Sequence, residues 1–267
     1  MKARVIVGAA VGIVAFLVFF VLPPAGVPVL ISILCAVAAY ELLHSTGLIT
    51  NRRILAVCSG FSVLTALYFY FGWSAAVAQT GLVLLLVYLF AELLYDHKNI
   101  DFLKIAAAFF AALLLPYMLS ALLRIYFMEH GKIYVLIPLI AAWACDVCAL
   151  FSGMLFGKHK LAPVISPKKT VEGAVGGVLG GALGVFLYAL VVNLCFDTGF
   201  SYPAMLLIGA FGAVLGQIGD LSFSVIKRRF GIKDYGRILP GHGGILDRFD
   251  SVIFVAPIVE VLLQVLG

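Results

Sequence analysis

The sequence predicts an all-α membrane protein with about nine transmembrane helices, its N-terminus in the cytoplasm and its C-terminus outside. Three observations predict this fold. Hydrophobic residues make up 64% of the 267 residues and the mean hydropathy is +1.15, whereas a soluble domain is nearer half apolar. Only 12% of the residues are charged, and no polar stretch is long enough to form a separate soluble domain. The charges are also distributed unevenly between the two sides of the membrane.

The helices are predicted from apolar runs of membrane length. The first run follows a short basic start, as in a signal peptide, but it is long enough to span a bilayer and is followed by Pro23 and Pro24, which make a poor cleavage site. We therefore expect it to remain as the first helix. The predicted helices cover approximately residues 5–22, 26–44, 54–71, 73–94, 102–124, 133–156, 171–195, 202–220 and 249–266.

Lysines and arginines set the predicted orientation of these helices. If the N-terminus lies inside, sixteen of the 18 fall on the inner side, and only Arg124 and Lys132 fall outside. Positive residues are favoured in cytoplasmic loops, so this asymmetry supports nine spans with the C-terminus outside. It also places the two large polar loops, 157–170 and 221–248, in the cytoplasm.

The net charge and the cysteines narrow the possible functions. A net charge of +5 suits a membrane surface or phosphate ligands. We expect no nucleic-acid partner, because the aromatic residues are dispersed in apolar helices and form no stacking platform. The five cysteines lie in or near apolar runs and do not form a disulfide framework. Cys145 and Cys148 have metal-like spacing, but on a transmembrane helix they are expected to be small packing residues.

The first five helices carry few residues with chemical function. Five ionisable residues lie at their predicted cytoplasmic ends, where we expect them to be solvated or at the level of the lipid headgroups. These residues are Glu41, His44, Glu92, Asp96 and His97.

The sixth helix carries Asp146 deep in an apolar run. A carboxylate in such a position is costly and usually functional. Two readings remain open for Asp146: a role at the site, through a metal or a metal ligand, or a hydrogen bond that fixes helix packing.

The loop after this helix ends in Ser166-Pro167-Lys168-Lys169-Thr170-Val171-Glu172-Gly173. Ser166 or Thr170 can cap the next helix, and a capped N-terminus beside two lysines is also suited to binding phosphate. The helix that follows carries glycines every four residues in two sets, which predicts a very close approach to neighbouring helices. The sets are Gly173, Gly177 and Gly181, and Gly176, Gly180 and Gly184.

The densest polar stretch runs from Ser222 to Asp250. It holds six of the 18 lysines and arginines, and Asp220 lies just before it. A topology signal would explain the lysine and arginines of residues 227–229, but not Asp247 and Asp250 at the edge of the last apolar run. Cations beside carboxylates and glycines suit a site that handles phosphate and a divalent metal. Asp220 and Asp247 lie at the two ends of this loop, so it can bring both to one cation.

A longer pattern within this stretch is more specific. Ser224-x-x-Lys227-Arg228, Lys233-Asp234-x-Gly236 and Leu239-Pro240-x-His242-Gly243-Gly244-x-x-Asp247-Arg248-Phe249-Asp250 follow one another without a departure over 27 residues. This pattern resembles the signature of the phosphatidate cytidylyltransferase family, and residues 166–173 are similar to a second block of that family. The resemblance implies transfer of CMP from CTP to phosphatidic acid, giving CDP-diacylglycerol and pyrophosphate. It also implies a role in phospholipid biosynthesis, in the inner (plasma) membrane with the active site facing the cytoplasm.

The resemblance also implies roles for individual residues. Residues 1–132 would form a transmembrane scaffold and residues 133–267 the catalytic region. Mg²⁺ would be held by Asp220 and Asp247, with Asp146 and Asp250 as further candidate ligands and room for a second cation. The partners would be CTP, phosphatidic acid, membrane lipids and a second copy of the chain in a homodimer. The implied catalytic residues are Asp220, Lys227, Asp247 and Asp250, and the implied substrate-binding residues are Ser166, Lys168, Lys169, Thr170, Ser224, Arg228, Lys233, His242, Gly243, Gly244 and Arg248.

Two alternatives remain open at this point. One is another CTP-dependent enzyme on a related membrane scaffold, such as a polyprenol kinase or a CDP-archaeol-type synthase. The long C-terminal pattern argues against the kinase, and less strongly against a different lipid phosphate as acceptor. The other is a transporter, for which an intramembrane carboxylate and a glycine-rich helix are typical. The polar residues nevertheless concentrate at one predicted membrane face, and the chain has no clear internal repeat.

Overall fold

The computed structural model describes residues 12–196, 198–238 and 243–266. The described residues are 77% helical, which confirms the all-α fold class. In the described part of the chain, seven helices are long and apolar enough to span a membrane, and two shorter apolar helices lie where the first and ninth spans were predicted. The total number of spans and the sides of the termini stay predictions. The nine apolar helices are α1 (Gly12–Val21), α2 (Gly26–Ser45), α3 (Arg52–Phe71), α4 (Ala75–Tyr95), α5 (Phe102–Tyr126), α6 (Gly131–Phe156), α7 (Val171–Phe196), α8 (Tyr202–Arg229) and α10 (Val252–Leu266), with the short α9 (Leu246–Phe249) between the last two.

Helix α8 is longer than its apolar run. The sequence predicts an end near residue 220, but the helix continues through Arg229, so the loop that follows begins at Phe230. Phe223 and Lys227 lie four residues apart on one face, and both are buried. This face therefore stays packed beyond the apolar run. The basic residues of the last turn also interact favourably with the C-terminal end of the helix dipole.

The loop between α6 and α7 contains a short antiparallel hairpin. Strand β1 (Lys160–Ala162) pairs with strand β2 (Ser166–Thr170), and Lys160 lies opposite Thr170. Pro163 and Pro167 suit an edge position or a turn, because proline has no N–H to donate to a ladder. The hairpin fixes the two consecutive lysines at the N-terminus of α7.

Helix α7 packs closely against α6 and α8. A Cβ atom added at Gly176 would lie 2.0 Å from Ser152 Oγ, and one at Gly180 would lie 2.2 Å from Cys148 Cβ, both on α6. A Cβ atom at Gly181 would lie 2.6 Å from Ala213 Cβ on α8. The doubled glycine pattern is therefore a packing surface, as the sequence predicts.

The chain forms two compact units, Met1–Arg124 with Phe230–Arg248, and Ile125–Arg229 with Phe249–Gly267. The first boundary lies near the one predicted between residues 132 and 133. The segment Phe230–Arg248 belongs to the first unit, whereas the predicted division placed it with the second half of the chain. The scaffold and catalytic roles of the two parts stay predictions.

Two glutamates of the first unit are buried, so the expectation that they are solvated is wrong. Glu41 is 2% exposed and Glu92 is 6% exposed. Glu92 accepts hydrogen bonds from Asn51 Nδ2, Arg53 Nη2 and Tyr88 Oη. Buried carboxylates need such partners, and local sequence patterns do not reveal them. Three other residues of that group are not buried, namely His44, Asp96 and His97.

Candidate functional site

The second unit contains a cavity of about 560 Å³ beside the hairpin. Helices α6, α7 and α8 contribute the rest of its lining. The other lining residues are mainly apolar, so the cavity offers charged groups beside an apolar wall. The polar side chains of the lining are Asp146, Lys160, Lys168, Lys169, Thr170 and Gln217.

Asp146 lies in the interior of α6 and is exposed at this cavity. Its position explains how an ionisable residue is tolerated deep in an apolar run, because the side chain reaches a cavity that also holds lysines. Asp146, Lys168 and Lys169 thus line one cavity, and the role of Asp146 stays a prediction.

Lys169 and Asp220 form an ion pair between the hairpin and α8. Lys169 Nζ donates to Asp220 Oδ2, and both side chains are partly buried, at 29% and 26% exposure. Ser224 Oγ donates a long hydrogen bond of 3.4 Å to Asp220 Oδ1 from one helical turn further on. The two sequence blocks that carry the resemblance therefore meet through these side chains.

Lys227 and Asp250 form a second, more buried ion pair. Lys227 Nζ lies 3.8 Å from Asp250 Oδ2. Asp250 Oδ1 also accepts a hydrogen bond from the N–H of Ser251 at 2.9 Å. Burial raises the pKa of Asp250 to about 7, the negative charges of Asp220 and Asp146 act in the same direction, and the Lys227 ammonium opposes them. Three carboxylates of this unit therefore influence one another.

These carboxylates suit a divalent cation by their chemistry. Carboxylate oxygens are the ligands that Mg²⁺ prefers, and a cation would relieve the repulsion among Asp146, Asp220 and Asp250. Among the described residues, no three His, Cys, Asp or Glu side chains are grouped closely enough to hold a metal ion as they stand. Lys169 and Lys227 instead lie against two of the carboxylates. The donor set fits Mg²⁺, with the two lysines as competing cations.

Asp247 belongs to the first unit, where it closes a turn of the chain. Its Oδ2 atom accepts hydrogen bonds from the N–H groups of Tyr235 at 2.7 Å and Gly244 at 2.9 Å. Gly243 has φ +83°, and a Cβ atom there would lie 2.7 Å from the same oxygen. These glycines therefore accommodate a carboxylate of the chain itself. Asp220 lies in the other unit, so the joining of Asp220 and Asp247 at one cation stays a prediction.

Glu41 is a residue of this region that the sequence analysis missed. Its carboxylate accepts hydrogen bonds from the N–H groups of Ile245 at 3.1 Å and Leu246 at 2.8 Å. The available signal was the one used for Asp146, a carboxylate within an apolar run. Glu41 lies only one turn from the end of α2, where a carboxylate is normally expected to reach solvent.

The remaining predicted residues have less specific surroundings. Thr170 Oγ1 accepts a hydrogen bond from Gly173 N–H at 3.1 Å, which confirms Thr170 as the cap of α7. Ser166 lies in β2 and is half-buried, so of the two candidate caps it is not the one used. Arg228 Nε donates to the carbonyl of Ile165 at 3.2 Å. The exposed members are Lys168, Arg228, Lys233 and Arg248, and His242 lies outside the described residues.

Comparison with known proteins identifies the family. The sequence model of a family described as "Cytidylyltransferase family" matches residues 2–266 of this chain. The chain belongs to this cytidylyltransferase family. The resemblance seen in the sequence is thereby confirmed, and the match covers both units and both sequence blocks.

Individual relatives match between about half and two thirds of this chain. A phosphatidate cytidylyltransferase of Staphylococcus saprophyticus is 47% identical over 135 residues, which are 51% of this chain and 50% of the relative. One from Staphylococcus epidermidis is 46% identical over 141 residues, 52% of this chain and 53% of the relative. One from Thermotoga maritima is 37% identical over 177 residues, 66% of this chain and 65% of the relative. The chain thus spans about half the length of the staphylococcal relatives it matches.

Proposed function

We propose that this chain transfers the cytidylyl group of CTP to phosphatidic acid, giving CDP-diacylglycerol and pyrophosphate. The observation that carries the proposal is the cavity beside the hairpin, where Lys160, Lys168 and Lys169 lie with Asp146 against an otherwise apolar lining. An amphipathic lipid phosphate needs both kinds of surface. Membership of the cytidylyltransferase family supports CTP as the donor, and relatives named phosphatidate cytidylyltransferase support the acceptor.

The proposed reaction needs positioning more than it needs a base. An oxygen of the phosphatidic acid phosphate attacks the α-phosphorus of CTP, the bond from that phosphorus to the β-phosphate oxygen breaks, and pyrophosphate leaves. The nucleophile is already an anion, so no strong general base is required. The main difficulty is the repulsion between two polyanions, which fixed cations reduce. Lys168 and Lys169 at the cavity, with Lys227 and Arg228 on α8, supply these charges.

Mg²⁺ would be held by Asp220, with Asp146 and Asp250 as further ligands. When bound, it would neutralise the charge that develops on the triphosphate. Lys169 pairs with Asp220 and Lys227 with Asp250. When the metal binds these carboxylates, the two lysines would pair with substrate phosphates instead. Asp247 stays a predicted ligand, and a second cation stays part of the proposal.

The setting of the reaction follows from the substrates. The acyl chains of phosphatidic acid would remain among the membrane helices while its headgroup reaches the polar segments. CTP is a cytoplasmic nucleotide, so we propose that the site faces the cytoplasm from the inner membrane. The homodimer is likewise part of this proposal.

The position of the label in CTP distinguishes the proposal from its alternatives. Purified chain in detergent micelles would be given phosphatidic acid, Mg²⁺ and CTP labelled either at the α-phosphorus or at the γ-phosphorus. Cytidylyl transfer labels the lipid from the α-position only, whereas a kinase labels it from the γ-position only. The same reaction with a chelator, and with the variant Asp220→Asn, tests the carboxylate site. Lys158→Met is the matched control, because Lys158 is exposed in the same loop and does not line the cavity.

We expect labelled CDP-diacylglycerol from the parent and from Lys158→Met, and little from Asp220→Asn or in the chelator. A folded parent that labels no lipid from the α-position would contradict the proposal for this acceptor. Label incorporated into another lipid phosphate but not into phosphatidic acid would reassign the acceptor.

A further inference from the structure

In the first unit, three consecutive backbone N–H groups of one turn donate to two carboxylates, those of Glu41 and Asp247. The N–H of Gly244 donates to Asp247 Oδ2, and those of Ile245 and Leu246 donate to the two oxygens of Glu41. Asp247 is the third residue after Gly244 and so belongs to the same turn. Glu41, from a distant part of the chain, provides the acceptors for the other two N–H groups of that turn. The geometry connects a residue of α2 directly to the position of a predicted catalytic carboxylate.

The backbone at residues 236 and 244 lies so close to Glu41 that neither position has room for a side chain. A Cβ atom at Gly236 would lie 2.2 Å from Glu41 Oε1, and one at Gly244 would lie 2.4 Å from both carboxylate oxygens. Two separate points of the Phe230–Arg248 segment therefore contact the same carboxylate. Glycine is required at both positions by close approach, in addition to any need for backbone flexibility.

A second contact one turn along α2 reinforces the first. Ser45 Oγ donates to the carbonyl of Tyr235. The N–H of Tyr235 in turn donates to Asp247 Oδ2 at 2.7 Å. Residues 41 and 45 lie on one face of the helix, so α2 presents a small polar surface that matches this segment.

The chemistry of Glu41 argues for a role beyond packing. A carboxylate that is 2% exposed is costly to bury, and the hydrogen bonds that the structure gives it within the described residues both come from backbone N–H groups. An apolar side chain would fill the space but leave two N–H groups of the turn unsatisfied. Glu41 therefore fixes the backbone conformation of residues 244–246, which immediately precede Asp247 and Arg248.

We infer that Glu41 is a positioning residue for the proposed transfer: it holds the turn at residues 244–246 so that Asp247 and Arg248 keep the conformation that the reaction uses. This inference rests on the proposed function for its catalytic part. Its structural part, the hold of Glu41 on the turn, is measurable without any reaction.

Hydrogen exchange and kinetics on the intact chain in detergent test both parts. In Glu41→Gln, which keeps the volume but offers one acceptor oxygen instead of two, we expect at least one of the amides of Ile245 and Leu246 to exchange at least about tenfold faster. We expect kcat to fall by about 10–100-fold, the usual effect of losing a residue that orients a catalytic group, with the KM for phosphatidic acid unchanged. The thermal unfolding midpoint should change little, because the rest of α2 remains packed.

A double-mutant cycle adds a second criterion. Gly244→Ala should lower kcat in the parent, because its methyl group meets the carboxylate of Glu41. In the Glu41→Ala background the same substitution should lower kcat less, since the space is then open. Glu92→Gln is the control for loss of a buried glutamate in the same unit, and its kcat and the exchange of residues 244–246 should match the parent.

Three results would overturn the inference. One is normal kcat in Glu41→Gln, while the parent is active. Another is unchanged amide exchange at residues 245 and 246, whether or not the parent is active. The third is a strictly additive effect of Gly244→Ala and Glu41→Ala. An inactive but folded parent would instead refute the proposed function and with it the catalytic part, while faster exchange in Glu41→Gln would still support the hold on the turn.

Discussion

Lys227 Nζ lies 3.8 Å from Asp250 Oδ2, and the two side chains are only 11% and 10% exposed. One residue comes from the last turn of α8 and the other immediately precedes α10, so the pair joins the ends of two helices. An ion pair in such surroundings adds little net stability, but losing one member leaves the other charge buried without compensation.

Removing Lys227 should therefore destabilise the fold. At about pH 9, where Asp250 is ionised in the parent, we expect Lys227→Met to lower the free energy of unfolding by about 3 kcal/mol. The double variant Lys227→Met with Asp250→Leu should recover part of this loss, because it leaves no buried charge. Thermal unfolding in detergent measures these two variants and Asp250→Leu alone, with Arg229→Met, which changes an exposed cation of the same turn, as the control. A double variant as unstable as the sum of the two single variants would show that the charges are not coupled.

The raised pKa of Asp250 predicts a pH dependence of stability. The pKa rises from 3.8 to about 7 on folding, so the folded chain retains a proton that the unfolded chain has released. The stability from this proton is complete below about pH 4, is lost as the pH rises towards about 7 and is absent above it. In a chelating buffer, the thermal unfolding temperature of the parent should decrease, relative to that of Asp250→Asn, as the pH is raised from about 5 to about 8. Parallel pH profiles for the two proteins would contradict the assignment.

Lys169 should contribute to catalysis more than other lysines of its loop. Its ammonium lies beside Asp220 and lines the cavity, so Lys169→Met removes a cation where substrate phosphates are proposed to bind. We expect kcat/KM for CTP to fall roughly a hundredfold, as for the loss of one donor to a developing charge. Lys158→Met should leave it unchanged. Equal effects of the two substitutions would favour a general attraction of anions to the loop over a specific contact.

The glycines of α7 should be intolerant of even one methyl group. In Gly180→Ala the added carbon would lie 2.2 Å from Cys148 Cβ, so overpacking of about 1–3 kcal/mol should outweigh the gain of about 1 kcal/mol in helix propensity. Gly60→Ala in α3 is the matched control, because a Cβ atom there has no neighbour within 4 Å. We expect the unfolding midpoint to fall for Gly180→Ala and to stay level or rise for Gly60→Ala. A rise in both would contradict the close packing of α6 against α7.

Most of the fold was predictable because membrane helices are selected by hydropathy over windows of their own length. Hydropathy alone predicts that α8 ends near residue 220, where the apolar run ends, although the helix continues through Arg229. Beyond residue 220, helix formation depends on Phe223 and Lys227, whose burial comes from tertiary packing. The hairpin at residues 160–170 was missed for a related reason, since its pairing joins residues with no apolar alternation.

The site was predictable where its residues fall in local motifs and not where they meet across the chain. Lys169 was recognised within a block and Asp220 as a carboxylate just before the longer pattern, and the structure pairs these side chains. Glu41 and its partner N–H groups are separated by more than 200 residues. Because every residue except proline has a backbone N–H, the sequence does not indicate which ones donate to Glu41. The buried state of Glu41 therefore became apparent only from the fold.

The separation between Glu41 and Leu246 also has a consequence for synthesis of the chain. Helix α2 emerges early, yet the N–H groups that satisfy Glu41 follow 204 and 205 residues later. At roughly 5–20 residues per second, this interval is about 10–40 s. During that time the Glu41 carboxylate lacks these two donors, and because an unsatisfied buried carboxylate is costly, the end of α2 is not expected to pack as in the folded chain before they arrive. The turn can therefore close around Glu41 only after residues 245 and 246 have been synthesised.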